Sequence, residues 1–382
     1  MTSRTVDVIA SGPPSSDPYD PAQPAWALAA ALAQQGDQVS VLHPGANDGT
    51  PAPAGTTGVP VALPVRRPGA AVEGADYARA AAKKVRAGTD VVLRDPAGLG
   101  RLGLSRARGR GPIVAAFVRA IEVDTFERER GGHAPAGFRD RLDTWIDRRS
   151  VRRLEEAALR EADRLFYDAA GLPAELLQRY GIPERRFHAA LPPVAAVPMP
   201  MTRDEARASF RVPADVPVVV APAPFEQPEP SGTDRAREAF RRVRSFFPGA
   251  RLIVVGTSAP NEPGVTFATE RDAGTLGRAL AAADVAVFDR RLPGFDPGVV
   301  LALRAGRAVI VGPNVRLPVE PGAALRTVPS DDPGDFASVL AEVLADPAIR
   351  RALSAEGTRY AGAFDPVRVA EVVTAATSPG AR

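Results

Sequence analysis

The stretch at 283–311 reads ADVAVFDRRLPGFDPGVVLALRAGRAVIV and decides the fold. Val285–Phe288 is a short apolar run, which predicts a buried strand. Val299–Arg304 predicts a helix, and Ala308–Val311 predicts a second buried strand. Strand, helix and strand in this order are typical of a doubly wound α/β protein with a parallel sheet.

The same alternation runs through the whole chain in both directions. Further strands are predicted at 6–10, 38–42, 90–93, 112–117, 164–167, 217–221 and 251–255. Further helices are predicted at 25–35, 138–161, 172–180, 234–246 and 274–283, with two more after Asp332. A chain of 382 residues suits two domains, and four prolines between Leu191 and Thr202 mark the break between them. We therefore expect two Rossmann-like domains that bind ligands at the carboxyl ends of their strands.

Residue types that are absent or rare exclude several kinds of site. The chain has no cysteine, which excludes disulfides, thiolate metal sites and cysteine nucleophiles. Its three histidines, His43, His133 and His188, lack the spacing of metal ligands, and His188 is expected to be a packed or surface residue. No metal or cofactor is therefore expected. The chain passes straight into a strand and has no run of about 18 apolar residues, which predicts a cytoplasmic protein.

Arginine supplies nearly all of the positive charge. Lysine occurs only at Lys83 and Lys84, a bias typical of GC-rich bacterial genomes, so the net charge of +3 indicates little about partners. Two basic clusters stand out, namely Arg101, Arg106, Arg108 and Arg110, and Arg148, Arg149, Arg152 and Arg153. The second lies among acidic residues at three- and four-residue spacings, which favours a solvated, ion-paired face over peripheral contact with a membrane. Nucleic-acid binding is not expected, because aromatic residues make up only 6% and do not alternate with the arginines.

Several segments, in their order and spacing, resemble the signature of family-4 glycosyltransferases. The segments are 185–194, 217–221, Ser231-Gly232-Thr233-Asp234, the strand and turn from Arg251 to Gly256, Ala283–Phe288, and Pro293-Gly294-Phe295. The resemblance covers nearly the whole chain and is strongest from Glu156 onward. It implies a GT-B fold, in which two Rossmann-like doubly wound domains face each other across a cleft. It also implies an acceptor-side domain at 1–195, a donor-side domain at 196–365, and a final helix at 366–382 that returns to the first domain.

The residues that hold the diphosphate of the donor in this family are replaced. The family uses an arginine and a lysine just after the first strand of the second domain, where positive charge stabilises the leaving diphosphate. Here the lysine position is Ser231, beside the register-fixing Gly232, and the arginine position is Glu226, or Pro224 if the register shifts by two. A carboxylate at Glu226 would repel a diphosphate.

The two glutamates of the family's second signature are also replaced. In the family, one carboxylate lies near the reacting sugar and the other binds the ribose. The corresponding residues here are Pro293 and Leu301, with Gly294 fixing the register.

The first domain departs from the family at two further positions. The glycine-rich loop after the first strand has become Ser11-Gly12-Pro13-Pro14, and proline has no N–H to donate to a phosphate. The histidine expected near the end of the strand at 112–117 is absent, and Val118 and Arg119 stand there.

Three charged residues around Phe295 are candidates to replace the lost contacts. Arg290 and Arg291 precede Pro293 and are either new phosphate ligands or solvated loop residues. Asp296 is either a relocated carboxylate or a turn residue before proline. The sequence leaves both alternatives open.

The preferred hypothesis is a diverged family-4-like protein that has lost its usual donor site. It would be a pseudo-glycosyltransferase, acting as a binding or partner subunit beside a second glycosyltransferase or another protein in a glycan or natural-product glycosylation system. The alternative is an active glycosyltransferase of the hexosyltransferase type that binds a nucleotide sugar through a rebuilt donor site. A second alternative is a protein-interaction module without a sugar substrate.

Overall fold

Two parallel sheets, each covered by helices, organise the chain in the computed structural model. Contacts divide the chain into a first unit, Met1–Ser15, Pro21–Pro193 and Pro366–Arg382, and a second unit, Ser16–Asp20 and Val194–Asp365. The residues that the structure describes are 3–45, 50–62, 70–96, 98–104, 111–119, 121, 123–124, 138–169, 171–199, 201–223, 233–257, 262–290 and 295–378.

The first unit contains a seven-stranded sheet. Its strands are β1 (Thr5–Ala10), β2 (Gln38–Pro44), β3 (Thr56–Val61), β4 (Val91–Asp95), β5 (Ile113–Val118), β6 (Arg164–Tyr167) and β7 (Phe187–Ala189). They are all parallel, in the order β3-β2-β1-β4-β5-β6-β7. The order reverses between β1 and β4, which makes their carboxyl ends the switch point where ligands bind in such sheets.

Helices bury both faces of this sheet. They are α1 (Gln23–Gln34), α2 (Ala70–Ala82), α3 (Phe138–Glu161), α4 (Leu172–Tyr180) and α11 (Pro366–Thr377). Val6 and Val8 point into one apolar cluster with α1 and α11, whereas Ile9 points into a second cluster with α2, α3 and α4. Burial on both faces explains why the strands are continuous apolar runs and not alternating ones.

The second unit contains a six-stranded sheet in the order β10-β9-β8-β11-β12-β13. Its strands are β8 (Val218–Pro222), β9 (Arg251–Val255), β10 (Val265–Ala268), β11 (Val285–Phe288), β12 (Ala308–Val311) and β13 (Arg326–Thr327). Its helices are α5 (Arg203–Ser209), α6 (Thr233–Val243), α7 (Ala273–Ala282), α8 (Pro297–Arg304), α9 (Pro333–Ala345) and α10 (Pro347–Ala361). All strand pairs are parallel, and the order reverses between β8 and β11.

The sequence pattern predicts the central strands correctly and misses several peripheral elements. The strands β3, β10 and β13 and the helices α2 and α5 were not predicted, and three helices follow Asp332 where two were expected. The helix α5 carried a readable signal, because Thr202 and Glu205 form a reciprocal capping box at its start.

From Val194 onward, the proline-rich segment belongs to the second unit and packs tightly within it. Val194 donates its N–H to the carbonyl of Phe364 at 2.9 Å, and its own carbonyl accepts from Arg304 at 2.8 Å. Further along, Pro198 runs across α7 at Gly277, where a Cβ would lie 1.9 Å from the Pro198 carbonyl oxygen. Only glycine therefore permits this close approach of backbone to helix.

The close approach at Gly277 gives a first prediction. Gly277→Ala should lower the free energy of unfolding by about 3 kcal/mol, because the carbonyl of Pro198 must move away from the added methyl group. The control is Gly362→Ala, since Gly362 has helical torsion angles and open space around its Cα. Urea denaturation of both variants tests this prediction, and equal stabilities would contradict the tight packing.

Candidate functional site

The carboxyl edge of the second sheet collects several charged residues. The connections that leave β8, β10 and β11 begin there and lead to the starts of α6, α7 and α8. Of the positions singled out from the sequence, Glu226, Ser231, Gly232, Arg291, Pro293 and Gly294 lie outside the described residues. Gly256, Arg290, Phe295, Asp296 and Leu301 are described.

A two-pronged ion pair joins α6 to the end of β11. Arg235 donates from Nε and Nη2 to the two carboxylate oxygens of Asp289, at 2.5 and 2.7 Å. A third carboxylate, that of Asp331, accepts from Nη1 of the same guanidinium. The fork of Arg235 is therefore occupied by aspartate oxygens, in the bidentate geometry that arginine otherwise offers to a phosphate.

Asp289 is almost completely enclosed. Its side chain is fully buried, and it lies so close to Gly312 that a Cβ there would be 2.1 Å from Oδ1. Burial raises the pKa of Asp289, and the hydrogen bonds from Arg235 lower it. Burial is the larger effect, so the pKa is raised to about 6. Neither Asp289 nor Arg235 was predicted from the sequence as a site residue. The sequence signal that could have identified Asp289 is its position directly after the buried strand β11.

Arg290 and Asp296 form a second pair at the same edge. Arg290 is only 9% exposed, so it is not the solvated loop residue that one alternative expected. Its Nη1 lies 3.9 Å from Oδ2 of Asp296. The other oxygen of Asp296, Oδ1, accepts from the N–H of Gly298 at 2.9 Å and caps α8. The carboxylate of Asp296 thus has a structural role at the helix start.

Leu301 lies on the buried face of α8. It is 2% exposed and all of its neighbours from Gly298 to Leu303 are buried. A carboxylate at this position would therefore be a buried charge. Phe295 stacks on Phe364, with the ring centroids 6.2 Å apart and the planes nearly parallel.

A third arginine at this edge lies over the turn after β9. Gly256 has a φ of 86°, and a Cβ there would be 3.1 Å from Cγ of Arg271. The Nε of Arg271 lies 3.6 Å from Oδ2 of Asp17, a residue of the segment Ser16–Asp20 that belongs to the second unit. Further out, the exposed Arg316 donates to the carbonyl of Pro313.

In the first unit, a backbone carbonyl of the loop after β1 is bound by a side chain of α1. Ser11 is exposed, and the carbonyl of Gly12 accepts from Nε1 of the buried Trp26 at 3.1 Å. The two residues that follow Gly12 are prolines, so they present no N–H in this loop.

A charged cluster lies at the carboxyl edge of the first sheet, and its two aspartates, Asp95 and Asp168, were not predicted from the sequence. Arg119, which follows β5, donates to both carboxylate oxygens of Asp95 at 2.9 and 2.6 Å. Its Nη1 also lies 3.9 Å from Oδ2 of Asp168, which follows β6. Burial raises the pKa of Asp168 above its usual value, while Arg119 lowers it. Arg119 thus occupies the neighbourhood of the expected histidine, with carboxylates on two sides.

The basic cluster on α3 lies on the surface of the first unit. Arg148, Arg149, Arg152 and Arg153 are all exposed. Glu155 does not belong to this solvated face, because it is 2% exposed and accepts from the hydroxyl of Tyr180 at 2.5 Å. Within the described ranges, no helix is long and apolar enough to cross a membrane, and no group of three acidic or histidine side chains is placed to hold a metal ion.

Comparison with known proteins identifies the family resemblance. The model of Glycosyltransferase Family 4 matches residues 25–196. The predicted resemblance to family 4 is confirmed. The match falls mainly on the first unit, whereas the sequence motifs led us to expect the strongest resemblance from Glu156 onward. The motifs of the second unit that were expected to bind the donor include most of the replaced positions. No significant match was found among curated protein sequences.

Solved structures show that this chain has the GT-B fold over nearly its whole length. WaaG, a glycosyltransferase involved in lipopolysaccharide biosynthesis, is 17% identical with a TM-score of 0.70, and the match covers 98% of this chain and 100% of WaaG. Sucrose-phosphate synthase from Thermosynechococcus elongatus is 18% identical with a TM-score of 0.65, and the match covers 96% of both chains. HepE from Anabaena, solved with UDP-glucose, is 13% identical with a TM-score of 0.63, and the match covers 96% of this chain and 97% of HepE.

The enclosure of Asp289 gives a second prediction. Arg235→Ala should lower the free energy of unfolding by about 3–5 kcal/mol at about pH 8, because it leaves a buried carboxylate without its partner. The loss should be smaller at about pH 5. Because the pKa of Asp289 is raised to about 6, its carboxyl group is mostly protonated at about pH 5 in the folded protein. A neutral carboxyl group loses less when its arginine partner is removed.

The matched control lies on the same helix. Arg241 pairs with Glu238 on an exposed face, so Arg241→Ala should change the stability by less than about 1 kcal/mol at either pH. Urea denaturation of both variants at the two pH values provides the test. A pH-independent loss in Arg235→Ala would contradict the assignment to Asp289.

Proposed function

We propose that this protein is a pseudo-glycosyltransferase, a diverged family-4-like protein that does not bind a nucleotide sugar in the manner of the family. The single observation that carries the proposal is the pairing of Arg235, Arg271 and Arg290 at the carboxyl edge of the second sheet. Each of these arginines faces at least one aspartate. The positive charge that would stabilise a leaving diphosphate is thus balanced within the protein.

A diphosphate would have to displace these aspartates from the arginines, and electrostatics opposes that exchange. A phosphate that took the fork of Arg235 would leave the buried carboxylate of Asp289 without its partner, at a cost of about 3–5 kcal/mol. It would also approach Asp289, Asp296 and Asp331, whose negative charges oppose its own.

The replaced family positions support the same proposal. The residue at the ribose-binding position, Leu301, is buried among apolar neighbours and has no group to accept a hydrogen bond from a hydroxyl. The loop after β1 offers no N–H from its two prolines, and the carbonyl of Gly12 is bound to Trp26.

A retained fold without a working donor site suits a binding role. The protein would act in the bacterial cytoplasm as a partner of a second, intact glycosyltransferase in a glycan or natural-product glycosylation system. An interaction module without any sugar-related role is the more distant candidate, because the family resemblance spans residues 25–196.

One observation favours the alternative of an active enzyme with a rebuilt donor site. Arg290 is buried beside Asp296, the N-cap residue of α8, so a guanidinium lies near a helix N-terminus, a feature that favours anions. Because HepE, which shares the fold, was solved with UDP-glucose, a nucleotide sugar is the donor class that such a site would take.

Titration calorimetry with a panel of UDP- and GDP-sugars separates the two functions. We expect no binding in the micromolar range to the wild-type protein, because the three arginines are already paired. Micromolar binding that is lost in Arg290→Ala and kept in Arg241→Ala would contradict the proposal and support the rebuilt site, since an arginine–phosphate contact contributes about 1.5–3 kcal/mol.

A further inference from the structure

A short segment of the loop after β1 is packed into the second unit. Within Ser16–Asp20, the carbonyl of Ser16 accepts from the N–H of Ala273 at 2.8 Å, at the start of α7. Asp17 places its carboxylate beside Arg271, with Oδ2 3.6 Å from Nε. The segment thus reaches the carboxyl edge of the second sheet with a backbone carbonyl and a negative charge.

The segment is folded on itself as a turn around Asp17. Oδ1 of Asp17 accepts from the N–H of Tyr19 at 2.9 Å, and its carbonyl accepts from the N–H of Asp20 at 3.1 Å. The two oxygens of one carboxylate therefore serve two purposes, since one organises the turn and the other faces Arg271.

Tyr19 fills a slot above the first turn of α8. A Cβ at Gly298 would lie 2.2 Å from the Tyr19 hydroxyl and 2.7 Å from the ring of Phe288, so only glycine admits the tyrosine. The hydroxyl oxygen is shielded from solvent and has no hydrogen-bond partner among the described residues. Burial and the nearby carboxylates of Asp296 and Asp17 raise the pKa of Tyr19 well above its usual value, which keeps the hydroxyl neutral.

The unpartnered hydroxyl is unfavourable in this position. A buried hydroxyl without a partner loses its hydrogen bonds to water and gains none in return. Phenylalanine would fill the slot above Gly298 without that loss. Tyrosine is the better residue for a segment that also exists outside the slot, where its hydroxyl meets water.

We infer that Ser16–Asp20 is an autoinhibitory strap, which holds the carboxyl edge of the second sheet closed against an anionic ligand. Asp17 takes the place of the anion beside Arg271, and Tyr19 places a flat ring over Gly298. A ligand that combines an anion with a flat ring, such as a nucleoside diphosphate, is the class that the strap excludes. The inference rests on the proposed function, because it takes this edge as the place of the lost donor site.

Two measurements on Tyr19→Ala, with Tyr19→Phe as the matched control, test the strap. The first is hydrogen exchange at the amide of Ala273, which donates to Ser16 when the strap is closed. The second is calorimetric titration with UDP. We expect Tyr19→Ala to exchange this amide at least about tenfold faster than wild type and to bind UDP at least about tenfold more tightly, because the open state is no longer the minor one. Tyr19→Phe, which fills the slot without an unpartnered hydroxyl, should exchange this amide no faster than wild type and bind UDP no more tightly.

Two further variants keep the test independent of folding defects. Asp17→Asn retains the oxygen that organises the turn and removes the charge beside Arg271, so it should shift both measurements in the same direction as Tyr19→Ala. Adding Arg271→Ala to Tyr19→Ala should abolish the gained affinity for UDP while the Ala273 amide stays fast.

The outcomes separate this inference from the proposed function. Unchanged exchange at Ala273 in both Tyr19→Ala and Asp17→Asn would overturn the strap, and so would fast exchange without a gain in UDP affinity. Micromolar binding of UDP by the wild-type protein would overturn the proposed function. The strap would then still be judged by the ratio of variant to wild-type affinity.

Discussion

The ion pair between Arg235 and Asp289 sets the character of the whole carboxyl edge of the second sheet. Parallel strands bring the residues that follow them to one edge, so a charge placed after β11 must find a partner there or remain buried alone. Asp289 is enclosed against Gly312, and Arg235 supplies the charge and the hydrogen bonds that make the burial tolerable. An arginine held in this way balances the protein's own carboxylate and has little left to offer a diphosphate.

The same logic recurs at the neighbouring arginines. Arg290 lies near Asp296, which caps α8, and Arg271 lies near Asp17 in the segment from the loop after β1. The first sheet repeats the arrangement with Arg119 between two aspartates. At the carboxyl edges of both sheets, arginines are therefore paired with the protein's own carboxylates. The fold depends on the buried strands, whereas any function depends on a few side chains at their ends.

The sequence predicts the parts of this structure that depend on local pattern. Apolar runs such as Val285–Phe288 identify the central strands, because a strand buried on both faces has to be apolar throughout. The short edge strand β3 was not predicted, because its Gly-Val-Pro stretch is a poor strand pattern. Its conformation depends on pairing with β2. The site was less predictable still. The burial of Arg290 and the contact of Tyr19 with Gly298 depend on residues that are distant in sequence. A local sequence pattern therefore cannot predict them.

Whether these paired arginines exclude a nucleotide can be decided by a crystal structure determined after soaking in millimolar UDP. We expect Arg235 and Arg290 to keep their contacts with Asp289 and Asp296 and Arg271 to stay beside Asp17. We also expect no nucleotide at this edge of the second sheet. A bound UDP whose phosphates contact any of these three arginines would contradict this expectation.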